Sequence, residues 1–281
     1  MAEMRKAAVA AVAAERAGRP GAPTSAAPRS GAPRSSTVRT AVVWEVLRTA
    51  LAERAAASGR PELDVVDAGG GTGGFAVPLA ELGHRVTVVD PSPDALAALE
   101  RRAADSGVSV RGLQGDAHDL HGLVGAGAAD LVLCHSVLEY VDEPAATMAA
   151  LAEIVRPGGA VSVLTAGRLA AVLHRALAGH FDDSRHVLTD AAGRWGDRDP
   201  MPRRFTRDDL TRLAAGAGLR VAEVHGIRIF ADLVPGSVID AEHDAAEALI
   251  ALESAASTHP VLADLATQLH VLAVRADLPA S

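Results

Sequence analysis

Three acids in this chain stand where a carboxylate can meet a small cationic or hydroxyl-bearing ligand: Asp67 in VVDAGGGTGG, Asp90 in VTVVDPSPDAL and Asp116 in GDAHDL. Asp67 lies two residues before Gly69, in a run (69–74) where Thr72 is the only residue with a side chain. Bare backbone of this kind can turn with positive φ and bring N–H groups against a ligand at the end of a strand. Asp90 falls 21 positions beyond Gly69, where an acid can accept both hydrogens of a ribose diol. Asp116, between Gly115 and Ala117, can accept from an adenine amino group while the next backbone N–H, that of Ala117, meets a ring nitrogen.

The glycine run fits two fingerprints. Gly69-x-Gly71-x-x-Gly74 is the dinucleotide pattern of NAD enzymes, and Asp67-x-Gly69-x-Gly71-x-Gly73 is the loop of S-adenosylmethionine (SAM) methyltransferases. Both want the acid at Asp90, so that residue does not separate them. Asp67 does: at a strand tip it can face the cationic aminoacyl end of SAM, whereas it would repel an anionic pyrophosphate. Singly, each acid has an ordinary reading, with Asp67 capping the turn, Asp90 a loop acid before Pro91 and Asp116 an N-cap. Those readings give no reason for all three to fall at successive strand ends. The expected cofactor is therefore SAM, bound by Asp67, Gly69, Gly71, Gly73, Asp90, Asp116 and Ala117.

The elements that must hold these residues follow from the periodicity. Val43, Val46, Leu47 and Leu51 fall at helical spacing within residues 40–57, and Gly59-Arg60-Pro61 ends that helix. LDVVDAG then reads as a buried strand, FAVPLAELG as a helix closed by Gly83, HRVTVVD as a strand, SPDALAALERRAADSG as a helix and VSVRGLQGD as a strand. ADLVLCHSVLEYV reads as a strand running into a helix, and GGAVSVLT as a strand. Strands alternating with helices imply right-handed crossovers and a parallel sheet covered on both faces, a doubly wound α/β fold. The later part departs from this rhythm. Residues 168–205 are irregular, FTRDDLTRLAAGAG is a helix capped by Thr206, and LRVAEVHGIRIF and QLHVLAVRA are strands around a helical excursion at 240–257. They predict a C-terminal antiparallel addition at the sheet edge.

Composition narrows the classes. The 281 residues suffice for one large α/β domain, and 49% hydrophobic content with 2% aromatics makes an Ala, Val and Leu core. One cysteine, Cys134, allows neither an internal disulfide nor a multi-cysteine metal site, so a cytoplasmic location is the default and no metal is expected. The alanine-rich start is closed by Glu15 and Arg16 and reads as neither signal peptide nor membrane span. Residues 18–37, rich in Pro, Gly, Ser and Ala, read as a linker. The expected organisation is a disordered extension, 1–37, followed by a single domain, 38–281, with its SAM-binding core at 63–165 and a substrate-side part at 166–281. Residues 1–40 carry +5 against −8 for the whole chain, leaving a body at −13 that does not suit a general polyanion binder. Residues 168–228 are the exception, with eleven arginines against eight acids.

VVDAGGGTGG, VTVVDPSPDAL, GDAHDL, LVLCHSVLEYV and RPGGAVSVL resemble the successive motifs of class I SAM-dependent methyltransferases, over about residues 63–165. HRALAGHFDD, HGIRIFADLVPG, AEALIALE and LHVLAVRA further resemble the C-terminal half of the CmoM-type enzymes, which methylate the carboxylate of 5-carboxymethoxyuridine at the tRNA wobble position. The resemblance implies a class I methyltransferase architecture and a SAM-dependent enzyme whose acceptor is a tRNA carboxylate. Where the tRNA-acting enzymes carry a lysine-rich stretch, this chain has DAAGRWGDRDPMPRR, its arginines interleaved with acids. A small-molecule acid or hydroxyl is the alternative acceptor, and an NAD-binding oxidoreductase or a non-catalytic SAM-binding protein the more distant ones.

A carboxylate nucleophile is already ionised at neutral pH and needs no general base. It needs a cation to orient it in a site dry enough to strip its hydration. Arg228 in GIRIF is the candidate, its planar fork matched to a carboxylate, and the resemblance implies that the arginine of this pattern contacts the substrate carboxylate. The ordinary reading makes it an outward arginine between buried Ile227 and Ile229. His135, just after the fourth strand, is expected near the transferred methyl, packing against cofactor or acceptor, or acting as general base if the nucleophile is a hydroxyl. Glu139 is expected to support that loop and Tyr140 to close the pocket.

Overall fold

The computed structural model of the chain describes residues 34–241 and 244–276. Of the extension expected at 1–37, residues 1–33 lie outside them. Helix α1 (Arg34–Ser58) reaches past the expected 40–57 at both ends. Its buried Val38, Val42, Val46 and Leu47 recur at helical spacing, and Gly59, at φ +66°, turns the chain away.

Next come β1 (Asp64–Ala68), α2 (Ala76–Glu81), β2 (Arg85–Asp90), α3 (Pro93–Asp105), β3 (Arg111–Gln114), α4 (Leu120–Val124), β4 (Ala129–His135), α5 (Pro144–Ile154) and β5 (Val155–Ala166). This is the alternation read from the sequence, with one correction. The chain leaving β4 does not run straight into a helix: Ser136 adopts φ +57°, a turn occupies the next residues, and α5 waits until Pro144 supplies its first turn.

The irregular segment at 168–205 contains two helices packed on one another, α6 (Arg168–Leu177) and α7 (Phe181–Thr189). Helix α8 (Arg207–Gly216) starts in a full capping box. The Thr206 hydroxyl accepts from the Asp209 N–H, and the Asp209 carboxylate accepts from the Thr206 N–H. Strand β6 (Leu219–Ile227), helices α9 (Gly236–Ala241) and α10 (Ala245–Ser257), and β7 (Gln268–Arg275) complete the order.

The seven strands lie in the order β3-β2-β1-β4-β5-β7-β6. The fold is α/β, doubly wound and mostly parallel, as expected. The C-terminal antiparallel addition stands at the sheet edge as expected: β7 pairs antiparallel with both β5 and β6, and β6 is the outermost strand. The strand order reverses between β1 and β4, opening a crevice beyond their carboxyl ends where ligands of such sheets bind.

Both faces of the sheet are covered, so the central strands are apolar throughout. Val132 and Cys134 of β4 face a cluster with Met148, Leu151 and Leu210, under α5 and α8. Leu131 and Leu133 face the opposite cluster with Leu47, Leu79 and Leu99, under α1, α2 and α3. Each such leucine contributes about 1.5–3 kcal/mol through its burial. Cys134 is fully buried, and burial, with Glu139 and Asp67, pushes its thiol far above the ordinary range, so it serves as a small core residue. No helix among the described residues is long and apolar enough to cross a membrane.

Candidate active site

The crevice is floored by the turn after β1. Gly69, Gly71 and Gly73 have φ of +74°, +55° and +79°. Apart from its backbone, a Cβ on Gly73 would also force the Leu99 side chain to shift. The loop is tied to the neighbouring strand by the Gly69 N–H, which donates to the Val89 carbonyl at 2.7 Å. Open space lies over Gly74, and nothing but the Asp90 carboxylate approaches Gly71.

Two of the three acids, Asp67 and Asp90, stand in the ends of β1 and β2, and Asp116 follows in the loop after β3. Asp67, in β1, is 3% exposed. Its carboxylate fits beneath the loop only because Gly70 is bare: a Cβ on Gly70 would sit 2.5 Å from Asp67 Oδ2. Gly70 belongs to neither fingerprint, and this role was not legible in its spacing. Asp90, the last residue of β2, accepts from the Gly71 N–H through Oδ2 and from the Ser92 N–H through Oδ1, both at 2.9 Å. It thereby holds the glycine turn to β2. Asp116 and Ala117 lie in the loop beyond β3, which ends at Gln114 and not at Asp116. The Gly115 N–H donates to the Asp90 carbonyl at 3.2 Å, so this loop hangs from the same strand tip, with Asp116 exposed.

His135 closes β4. It is 3% exposed and meets the edge of Phe75 at 4.7 Å between ring centroids, next to the glycine turn. Its Nε2 is 2.8 Å from Ser162 Oγ. Glu139, also buried, accepts from the Ala166 N–H at 2.7 Å and so pins the turn after β4 to the end of β5, as expected of it. Tyr140, half-buried, lies at the end of that turn.

Arg228 follows β6 directly, between Ile227 and Ile229, which are 1% and 4% exposed. It is not an outward strand residue. Its backbone is left-handed, φ +63°, a strained state for a residue with a side chain. The strain is held by Glu253 on α10, whose buried carboxylate accepts from the N–H groups of Ile229, Phe230 and Ala231 at 2.9, 2.8 and 2.7 Å. Arg228 Nη2 lies 2.8 and 2.7 Å from the two oxygens of Asp232, which also pairs with Arg39 at 3.5 Å. Its Nε–H is buried and meets no acceptor among the described residues. Nothing in the sequence around Glu253 or Asp232 marked them as partners of this arginine.

Two of the four arginines of the 190–204 stretch, Arg194 and Arg204, are engaged in holding it together. Arg204 donates twice to the buried Asp199 at 2.6 and 3.2 Å, and Arg194 donates to the Gly196 carbonyl at 3.1 Å. Trp195 is covered by the Arg175 guanidinium, 3.8 Å from its ring centroid, and anchors the loop to α6.

A glycine turn, strand-tip carboxylates and a topological switch point at one crevice define a nucleotide-cofactor enzyme of the doubly wound class. The family model described as a methyltransferase domain matches residues 43–224, and the chain belongs to that family. It is a SAM-dependent methyltransferase, which sets aside the dinucleotide reading of the glycine run.

The chain is 30% identical to the tRNA 5-carboxymethoxyuridine methyltransferase of Escherichia coli O157:H7 over 235 residues, 83% of this chain and 86% of the relative. It is 34% identical to the ubiquinone biosynthesis O-methyltransferase of Methylocella silvestris over 167 residues, 59% and 61% of the two chains. Among solved structures it is similar in fold to the magnesium protoporphyrin IX methyltransferase of Synechocystis PCC 6803 with bound SAH (TM-score 0.54, 18% identity, 86% and 83% covered).

Proposed function

We propose that the protein transfers the SAM methyl group to a carboxylate, as an ester, on a tRNA nucleotide of the 5-carboxymethoxyuridine kind. The cofactor supplies an activated methyl on a sulfonium centre. Asp67, Gly69, Gly71, Gly73, Asp90, Asp116 and Ala117 are the residues that would hold it, and His135 borders the acceptor side. Their chemistry suits it: a buried acid for the cationic aminoacyl end, a second acid at the tip of β2 for a ribose diol, and a bare turn between them. The protein's own work is then alignment of donor and nucleophile at near-contact distance.

The observation that carries the carboxylate is Arg228. A cation held in a strained backbone, with a buried Nε–H lacking an acceptor, is suited to take one oxygen of an incoming anion. Asp232 limits its reach by engaging Nη2, so the acceptor carboxylate shares the guanidinium with it. Similarity to a tRNA-modifying relative over 83% of this chain supports the tRNA over a free acid. The ubiquinone-pathway relatives, matched over a shorter stretch, support a small hydroxyl acceptor as the second reading.

The test is transfer of labelled methyl from SAM to bulk tRNA, followed by mild base. Label in tRNA that base releases is the expected result. Label appearing only in the small-molecule fraction overturns the tRNA acceptor, and label in tRNA that resists base overturns the carboxylate.

The domain organisation proposed from the sequence is kept: one methyltransferase domain from residue 38, with residues 166–281 building its acceptor side.

A further inference from the structure

The turn that strains Arg228 also brings an acid against it. Asp232 follows Arg228 by four residues, and the three N–H groups between them, of Ile229, Phe230 and Ala231, are the ones gathered by Glu253. The Leu233 and Val234 N–H groups then donate to the Phe230 carbonyl at 2.8 and 3.0 Å, which tightens the turn around Asp232. Both Asp232 oxygens reach the same nitrogen, Arg228 Nη2, and the Asp232 side chain is 12% exposed. Its place is therefore built into the backbone.

This acid is not needed to hold the turn, which Glu253 already fixes. Asp232 adds charge. Arg228 and Arg39 carry two positive charges, Asp232 and Glu253 two negative ones, so the group sums to zero. A site built to attract any acid would leave its cation bare. Here an anion approaching the Arg228 Nε–H meets a carboxylate one hydrogen-bond length from the same guanidinium, and the repulsion offsets much of the attraction. A lone small acid then gains little by binding. A carboxylate carried on a larger molecule is placed by that molecule's other contacts and still finds the Nε–H donor. Discrimination of this kind comes from a repulsive element set against the wrong ligand.

We propose that Asp232 is a specificity-determining residue, which quenches Arg228 toward free small acids so that the cation serves a carboxylate delivered on a larger acceptor. This rests on the reading that Arg228 receives the acceptor carboxylate. Asp232 acts through the arginine, as a positioning residue, and takes no part in the transfer itself.

The test is titration of the full chain with sodium acetate, followed through the Arg228 Nε–H signal in proton–nitrogen spectra, assigned by its loss in Arg228→Lys. Asp232→Asn keeps the shape and removes the charge, and should tighten acetate binding about tenfold or more, the scale of one nearby charge. Asp232→Glu keeps the charge and should bind acetate as weakly as the wild type. Asp232→Ser repeats the measurement should the amide variant not fold. In turnover, acetate should inhibit the Asp232→Asn enzyme in competition with the acceptor, at concentrations that leave the wild type unaffected. Acetate affinity equal in wild type and Asp232→Asn, or weaker in the variant, overturns the proposal. A merely structural role would lower kcat without creating sensitivity to acetate. Tightened acetate binding in an enzyme that esterifies no tRNA upholds Asp232 and overturns the proposed acceptor; esterified tRNA with unchanged acetate binding does the reverse.

Discussion

Glu253 fixes the backbone that follows Arg228, accepting from the N–H groups of Ile229, Phe230 and Ala231. Three consecutive N–H groups after Arg228 converge on one carboxylate in a buried place, and the left-handed backbone of Arg228 is what aims them there. The backbone of the candidate cation is thus set by a residue of α10.

Replacing the cation tests the site directly. Arg228→Ala should leave SAM affinity near wild type by calorimetry while methyl transfer collapses. Arg228→Lys should rescue little, since a point charge does not reproduce the planar fork. Equal loss of both properties would remove the proposed role.

Replacing its support should act on the fold as well as on activity. Glu253→Ala strands three buried N–H groups, each costing about 1–3 kcal/mol if left unsatisfied, so a clear drop in denaturation midpoint is expected together with lost transfer. Glu253→Gln keeps an accepting oxygen and should fall between.

On the cofactor side, Asp90→Ala releases the Gly71 and Ser92 N–H groups and removes the acid proposed for the ribose. SAM affinity should fall about tenfold or more, the scale of a charge-assisted hydrogen bond. Gly70→Ala provides a sharper comparison: it should weaken SAM binding by displacing Asp67, although it deletes no polar group. Unchanged SAM affinity in Gly70→Ala would separate Asp67 from the cofactor.

Far from the site, Asp130 at the start of β4 accepts from Arg54, Arg60 and Arg156 and from the Asp64 N–H, with its own side chain fully buried. Asp130→Ala should cost about 3 kcal/mol in chemical denaturation, the usual order for breaking a buried ion pair, with per-molecule activity of the folded enzyme retained.

Stability should also track the buried histidines. His270 and His225 are held neutral below their ordinary value of 6.5, chiefly by burial. The unfolded chain takes up the protons that the folded one refuses, so this stability is present above pH 6.5 and is lost as the pH falls beneath it. The slope is at most about 1.4 kcal/mol per pH unit for each ring. Denaturation series from pH 7.5 to 5 should show it, and His270→Phe should flatten it; an unchanged slope in that variant would refute the assignment.

The sheet was legible because apolar runs bounded by glycine and proline repeat with a regular period, and because Asp67, Asp90 and the glycines act through local backbone geometry that spacing encodes. What was not legible depends on contacts between distant segments. Glu253 and Arg228, or Ser162 and His270, become neighbours only through strand order, and the insertion of β7 between β5 and β6 has no signature in either strand's own residues. The turn after β4 was misread for a local reason, since SVLEYV has helical periodicity but Ser136 takes a left-handed backbone.

That insertion has a consequence for assembly. Strand β7 follows the other six in sequence, yet β6 reaches the sheet only through it. A nascent chain that has emerged only as far as β6 exposes the bare edge of β5 and leaves β6 with no strand to join. Ser162 of β5 likewise meets the His270 ring only when β7 slots in. Completion of the sheet and burial of the contact between Ser162 and His270 are therefore one event.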